Sequence, residues 1–152
     1  MLQVFFNIFV LMSDIQEILI KHGLRKTAAR EAVYKEFNKK SVALSHGDIE
    51  ASLKEQFDRV TIYRTLSSFL EKGLVHKVLD DSEAAKYALC DHSCSEAHHH
   101  DNHVHFKCSN CGNSECLQDV QIPLIELPKG YTITESNLLI EGICKLCKKE
   151  RR

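Results

Sequence analysis

The 152-residue sequence predicts an α+β protein in two parts: an N-terminal winged helix-turn-helix and a small C-terminal α/β unit held by a structural zinc. Three observations carry this. Capped apolar stripes with helical spacing run to Gly73, a strand–turn–strand pattern follows at once, and two Cys-x-x-Cys pairs lie beyond it.

The elements follow in order. Ile15, Ile18, Leu19 and Ile20, opened by Ser13-Asp14 and stopped at Gly23, predict a first amphipathic helix. A second starts at Thr27 with Ala29, Val33, Tyr34 and Phe37 on its buried stripe. Ser45 caps a third carrying Ile49 and Leu53, and Asp58 caps a fourth with Val60, Ile62, Leu66, Phe69 and Leu70, ended by Gly73. Residues 74–79, a polar Asp80-Asp81-Ser82 turn and Lys86 to Leu89 form a hairpin in the position of a wing. This sets a reader domain at 1–89, with 1–12 an upstream extension, then a His- and Cys-rich hinge at 90–102 and a second domain at 103–152. In that domain Val104 to Lys107, Tyr131 to Thr134 and Leu138 to Ile143 carry strand signals.

Composition narrows the function. Hydrophobic residues at 43% and charged residues at 27% belong to a globular chain, and a net charge of -1 excludes a globally basic nucleic-acid binder. A local basic face survives, because residues 21–40 hold seven Lys and Arg against Glu31 and Glu36. The apolar stretch Met1 to Leu11 is too short to span a bilayer and has neither a basic flank nor a small-residue cleavage pattern. Seven Cys, four of them in Cys-x-x-Cys pairs, read as metal ligands in a cytoplasmic protein without membrane contact rather than as disulfides.

Cys108-x-x-Cys111-Gly and Cys144-x-x-Cys147 each present two thiolates, and two such knuckles complete a tetrahedron suited to structural zinc. Four closed ligands leave no place for a substrate. On a strand, His103 and His105 alternate to one face and invite a second metal, for which Cys90, Cys94 and Cys116 remain as thiols. A zinc enzyme would need an open position and a general base, and no carboxylate is suitably placed, so no catalytic residue is assigned. Arg59, Thr61, Tyr63 and Arg64 at the start of the fourth helix are residue types that reach base edges and phosphates in a major groove. A zinc-ribbon interaction module would share the four cysteines but would not need that helix and wing.

Leu24-Arg-Lys-Thr27-Ala-Ala-Arg30, Ser45-His46, Val60-Thr-Ile-Tyr-Arg64-Thr-Leu, Glu71-Lys-Gly-Leu-Val75, His103-x-His105-x-x-Cys108-x-x-Cys111-Gly and Cys144-x-x-Cys147 occur in one order. From Ile15 to Cys147 the chain thereby resembles the ferric uptake regulator family. The resemblance implies a homodimer built through the C-terminal domain, palindromic double-stranded DNA as partner, and a repressor controlled by a hinge metal. It adds Arg25, Thr27 and Arg30 to the DNA-contacting set.

Within that family the hinge resembles the zinc uptake regulators, in Val75-His76-Lys77-Val78 and Tyr87-Ala-Leu-Cys90. Ala88 and Cys116 stand where iron and peroxide sensors carry carboxylates. The implied regulatory ligands are His76, Cys90, His103 and His105, with Cys116 as a fifth or replacement and His46 as an alternative; zinc takes about four. Zinc is the expected regulatory ion, with iron or manganese as alternatives. Val104 and Ser136 occupy positions where an accessory site would need a carboxylate and a histidine, so that site is expected to be missing. Pro123 and Pro128 imply that the helix after the first knuckle is short or absent. His92, Cys94, His98, His99 and His100 read as a polar insertion.

Overall fold

The computed structural model describes residues 15–40, 42–78, 81, 83–90, 103–134 and 136–150. Residues 1–12 and the His92 to His100 cluster lie outside them. The described elements are α1 (residues 15–21), α2 (Ala28–Lys39), β1 (Leu44–Ser45), α3 (His46–Leu53), α4 (Arg59–Glu71), β2 (Val75–Val78) and β3 (Lys86–Leu89). They are followed by β4 (His103–Cys108), β5 (Ser114–Gln121), β6 (Leu138–Gly142) and α5 (Lys145–Glu150).

Local chemistry fixes the helix starts. Thr27 caps α2 by accepting from the Arg30 amide at 3.3 Å. Ser45 and Asp48 form a reciprocal capping box on α3, the Ser45 hydroxyl accepting from the Asp48 amide and the Asp48 carboxylate accepting from the Ser45 amide. Asp58 caps α4 by accepting from both the amide (3.0 Å) and the hydroxyl (2.6 Å) of Thr61. Gly73 closes α4 at φ 67°, a left-handed conformation that a side chain would strain. The helices bury Leu19, Val33, Phe37, Ile49, Ile62, Leu66 and Phe69 in one core that extends onto Val75 of β2. Burial of apolar surface on this scale is what stabilises the N-terminal unit. The His22 ring is bonded to the Lys72 carbonyl at 2.8 Å and ties α1 to the end of α4.

Two three-stranded sheets follow, in the orders β1-β3-β2 and β5-β4-β6. The first is the expected wing with an added two-residue strand, since Leu44 and Ser45 pair with Tyr87 and Lys86. In the second, β4 runs antiparallel to β5 and parallel to β6. That parallel pairing brings Cys108, at the end of β4, beside Gly142 at the end of β6, so the two knuckles emerge at the same edge.

Three expectations change. Tyr131 to Thr134 is not a strand: both Tyr131 and Ile133 are exposed, and the Tyr131 amide donates to the Pro128 carbonyl at 3.2 Å in a turn. Residues 114–121 instead form the long strand β5, and α5 follows the second knuckle. Val60 and Leu70 do not join the buried stripe of α4 but face outward. Among the described residues no helix separates β5 from β6, as the two prolines imply, and none is long and apolar enough to cross a membrane.

Candidate metal centres and nucleic-acid face

The four knuckle thiols lie together, their sulfurs all within 4.8 Å of one another. Cys108, Cys144 and Cys147 are buried and, among the described partly buried hydrophobic residues, Phe106 packs against them, so the thiols themselves make up most of the buried cluster at this end of the sheet. The Cys144 amide donates to the Cys108 sulfur at 3.3 Å, and together with the Cys111 amide it pulls the Cys108 thiol down to about 6. Asn110 favours a thiolate at Cys147, but Cys144, burial and the remaining thiols outweigh it and push that group up to about 12. A dication held among the four sulfurs would stabilise their thiolates. Zinc–sulfur bonds of about 2.3 Å imply a tetrahedral edge of about 3.8 Å. The Cys111 and Cys144 sulfurs lie 3.9 Å apart, so the donor set fits the ion.

The second cluster joins the two sheets. β2 contributes His76, β4 contributes His103 and His105, and β5 contributes Cys116, with the ligand atoms again within 4.8 Å. Strand alternation puts both β4 imidazoles on one face, with Nε2 atoms 3.1 Å apart, while Val104 is buried on the other. The β4–β5 register makes Cys116 the direct cross-strand partner of His105. Cys116 Sγ then lies 3.3 Å from His76 Nε2. The His76 ring stacks on His105 at 5.6 Å with 14° between planes and meets His103 edge-on at 5.0 Å. His76 and His105 are almost wholly buried, at 2% and 1% exposure. For tetrahedral zinc, edges of about 3.3 Å between nitrogens and about 3.5 Å between nitrogen and sulfur would be expected, so this set fits as well.

Cys90 stands outside this group. Its sulfur is 3.6 Å from His76 Nδ1, on the opposite side of the ring from the nitrogen that faces Cys116. The structure thus brings Cys116 into the four-ligand cluster and puts Cys90 behind one of its members. His46 is not in the cluster either; it lies against Glu50 at 3.5 Å and edge-on to Tyr63.

A separate seam holds the sheets in register. The Ala43 amide donates to the Ser114 carbonyl at 2.7 Å, and Lys86 Nζ donates to the Gly112 carbonyl of the first knuckle at 2.9 Å. Lys107 pairs with Asp81 of the wing turn. Sequence reasoning did not identify Lys86 or Ala43; neither has a motif, and only the fold brings them to the knuckle.

On α4, Arg59, Tyr63 and Arg64 are exposed as expected. The Thr61 hydroxyl is instead engaged with Asp58, and Thr27 with its own cap. Arg30 donates to the Arg25 carbonyl at 2.8 Å, bracing the turn before α2, while Arg25 itself is exposed.

A model described as "Ferric uptake regulator family" matches residues 21–139. Over 144 residues the chain is 27% identical to a zinc uptake regulation protein of Escherichia coli, covering 90% of this chain and 81% of that one. Over 148 residues it is 28% identical to a ferric uptake regulation protein of Bordetella parapertussis, covering 92% and 100%. Its fold is similar to that of a solved zinc uptake regulator complexed with zinc and DNA, with a TM-score of 0.63 at 23% identity over 93% of this chain and 95% of the other. Regulators of the matching family are dimeric DNA-binding proteins and not enzymes. With the winged helix, the paired cysteine knuckles and a family match across most of its length, the chain belongs to the ferric uptake regulator family of metal-responsive transcriptional regulators.

Proposed function

We propose that this chain is a zinc-sensing repressor, acting in the cytoplasm as a homodimer on palindromic operator DNA to control zinc uptake. The observation that carries the reading is the meeting of His76 from the wing with His103, His105 and Cys116 from the second sheet. Three imidazoles and a thiolate, without a carboxylate in the group, favour zinc over ferrous iron or manganese. These four residues would hold the regulatory ion, which supplies a bond between the wing and the second sheet. Cys108, Cys111, Cys144 and Cys147 would hold a structural zinc.

The chain's own residues convert occupancy into DNA affinity. β2, which carries His76, is continuous through Gly73 and Leu74 with the end of α4, so fixing His76 fixes the direction of the reading helix. In a dimer both reading helices would then take one spacing, as two half-sites of a palindrome require. Tyr63 and Arg64 on the exposed face of α4 suit base and phosphate contacts, and Arg25, Thr27, Arg30, Arg59 and Thr61 lie at the starts of the helices around that face. Relatives named for ferric uptake and peroxide response make an iron- or peroxide-sensing repressor the second reading.

The test is binding to the protein's own promoter fragment at buffered free zinc. Wild type is expected to tighten as zinc rises. His76→Ala is expected to keep one zinc per chain and lose the tightening, whereas Arg64→Ala should weaken binding at every zinc level. Undiminished zinc response in His76→Ala would overturn the reading.

A further inference from the structure

We infer that Val60 is a specificity-determining residue of the reading helix and contacts the 5-methyl group of thymine in the operator. The inference rests on the DNA-binding reading above and adds a base to it.

The apolar stripe of α4 is complete without Val60. Ile62, Leu66 and Phe69 are 0–3% exposed and lie on the side of the helix opposite Val60, which is 56% exposed. Helical spacing instead groups Val60 with the residues three and four positions on, Tyr63 and Arg64. Tyr63 is 63% exposed and its ring rests edge-on against His46 at 6.1 Å. Val60 is thus an apolar patch on the polar, cationic face of the helix.

Among the described residues neither buried cluster includes Val60 or has it packed against it. A β-branched side chain brings a helix no advantage over alanine. It sits at the second helical position after the Asp58 cap, in the first turn, and residues in that turn approach base edges when a recognition helix enters the major groove. Two methyl groups with no polar atom can recognise one major-groove feature of the bases, the thymine methyl. The arginines on either side, Arg59 and Arg64, supply the positive charge that draws this face to DNA.

Burying one methyl corresponds to about fourfold in affinity, so contacts in both half-sites of a palindrome give about fifteenfold. The experiment uses the zinc-loaded full-length dimer and a duplex selected by it from random sequence. Each thymine is then replaced singly by deoxyuridine, which pairs identically but lacks the methyl. Wild type is expected to lose about fourfold at one or two thymines per half-site. Val60→Ala should bind the unmodified duplex about fifteenfold more weakly, be indifferent to deoxyuridine at those positions, and unfold at the same temperature or higher. Val60→Thr, which keeps the shape but exchanges a methyl for a hydroxyl, should fall between. Undiminished affinity in Val60→Ala, or a deoxyuridine penalty that persists in it, overturns the assignment. Failure of the wild-type dimer to select any sequence would instead overturn the DNA-binding reading on which it rests.

Discussion

Replacing Cys116 and Cys90 one at a time by alanine separates a metal ligand from its support. Both thiols touch the same imidazole, Cys116 at 3.3 Å from Nε2 and Cys90 at 3.6 Å from Nδ1. The two nitrogens point to opposite sides of the ring, so an ion held on Nε2 cannot also reach Cys90 through the ring. Cys116→Ala removes one of four donors and is expected to weaken hinge zinc binding by more than about 100-fold. Cys90→Ala removes only the group that orients His76. Losses of this kind are about 10- to 100-fold in metal affinity, equivalent to about 1.4 to 2.8 kcal/mol. With the four-cysteine site kept zinc-filled, cobalt(II) offered to the hinge should show a thiolate charge-transfer band in wild type and Cys90→Ala but not in Cys116→Ala. Loss of that band in Cys90→Ala with retention in Cys116→Ala would refute the assignment.

Three further outcomes follow from the same geometry. Because Cys108, Cys144 and Cys147, with Phe106 against them, form a buried cluster at the edge of the second sheet, Cys144→Ser should unfold the C-terminal unit while the helical core around Phe69 keeps its far-ultraviolet circular dichroism and its cooperative melt. Lys86→Met removes the bond to Gly112; a loss of about 1 kcal/mol should appear as a roughly fivefold weaker hinge zinc affinity by competition titration, with the structural zinc unaffected. The Ser45 hydroxyl holds the Asp48 carboxyl below the usual carboxylate range, so its stabilising effect is fully present above the unfolded-state pKa and is lost as pH falls through the lower folded value. Ser45→Ala should therefore cost about 1 kcal/mol in neutral-pH denaturant melts, and the difference from wild type should shrink in acid.

The helical half of the fold was legible because each helix carries an apolar stripe and α3 and α4 announce themselves a second time by a capping residue. Ser45 and Asp58 cap where the sequence implies, and Thr27, expected as the first residue of α2, is its cap. Strand β5 was not legible: its alternation is weak, since Cys116 on one face turns to the histidines while Val120, near its end, remains exposed in the single chain. Strand β1, at two residues, is shorter than any periodicity can register. Hydrophobicity alone misassigned Val60 and the segment around Tyr131, because an apolar residue need not be buried in its own chain. Val120, Leu124 (90% exposed), Ile125, Leu127, Tyr131 and Ile133 form a run of this kind in the C-terminal unit.

The metal sites divide the same way. Cys-x-x-Cys spacing identifies the four thiols because the knuckle is local, and parallel pairing of β4 with β6 then joins the pairs. The second cluster is assembled from three strands, and the family resemblance implied His76, Cys90, His103 and His105, with Cys116 and His46 as further candidates, without saying which faced inward. That Cys116 lies within the four-residue group and Cys90 beside the far nitrogen of His76 depends on the β4–β5 register and on how the His76 ring is turned, and neither is written in local sequence.

The central claim, that this regulator reads zinc, is tested most directly by DNA anisotropy with the hinge site emptied and the four-cysteine site retained. Free zinc and, anaerobically, iron(II) and manganese(II) are buffered across a range while a labelled fragment of the protein's own promoter is titrated. The account predicts tightening of about 5- to 150-fold at very low free zinc, with iron and manganese ineffective there. Tightening only with iron or manganese, or none with any metal, would contradict it.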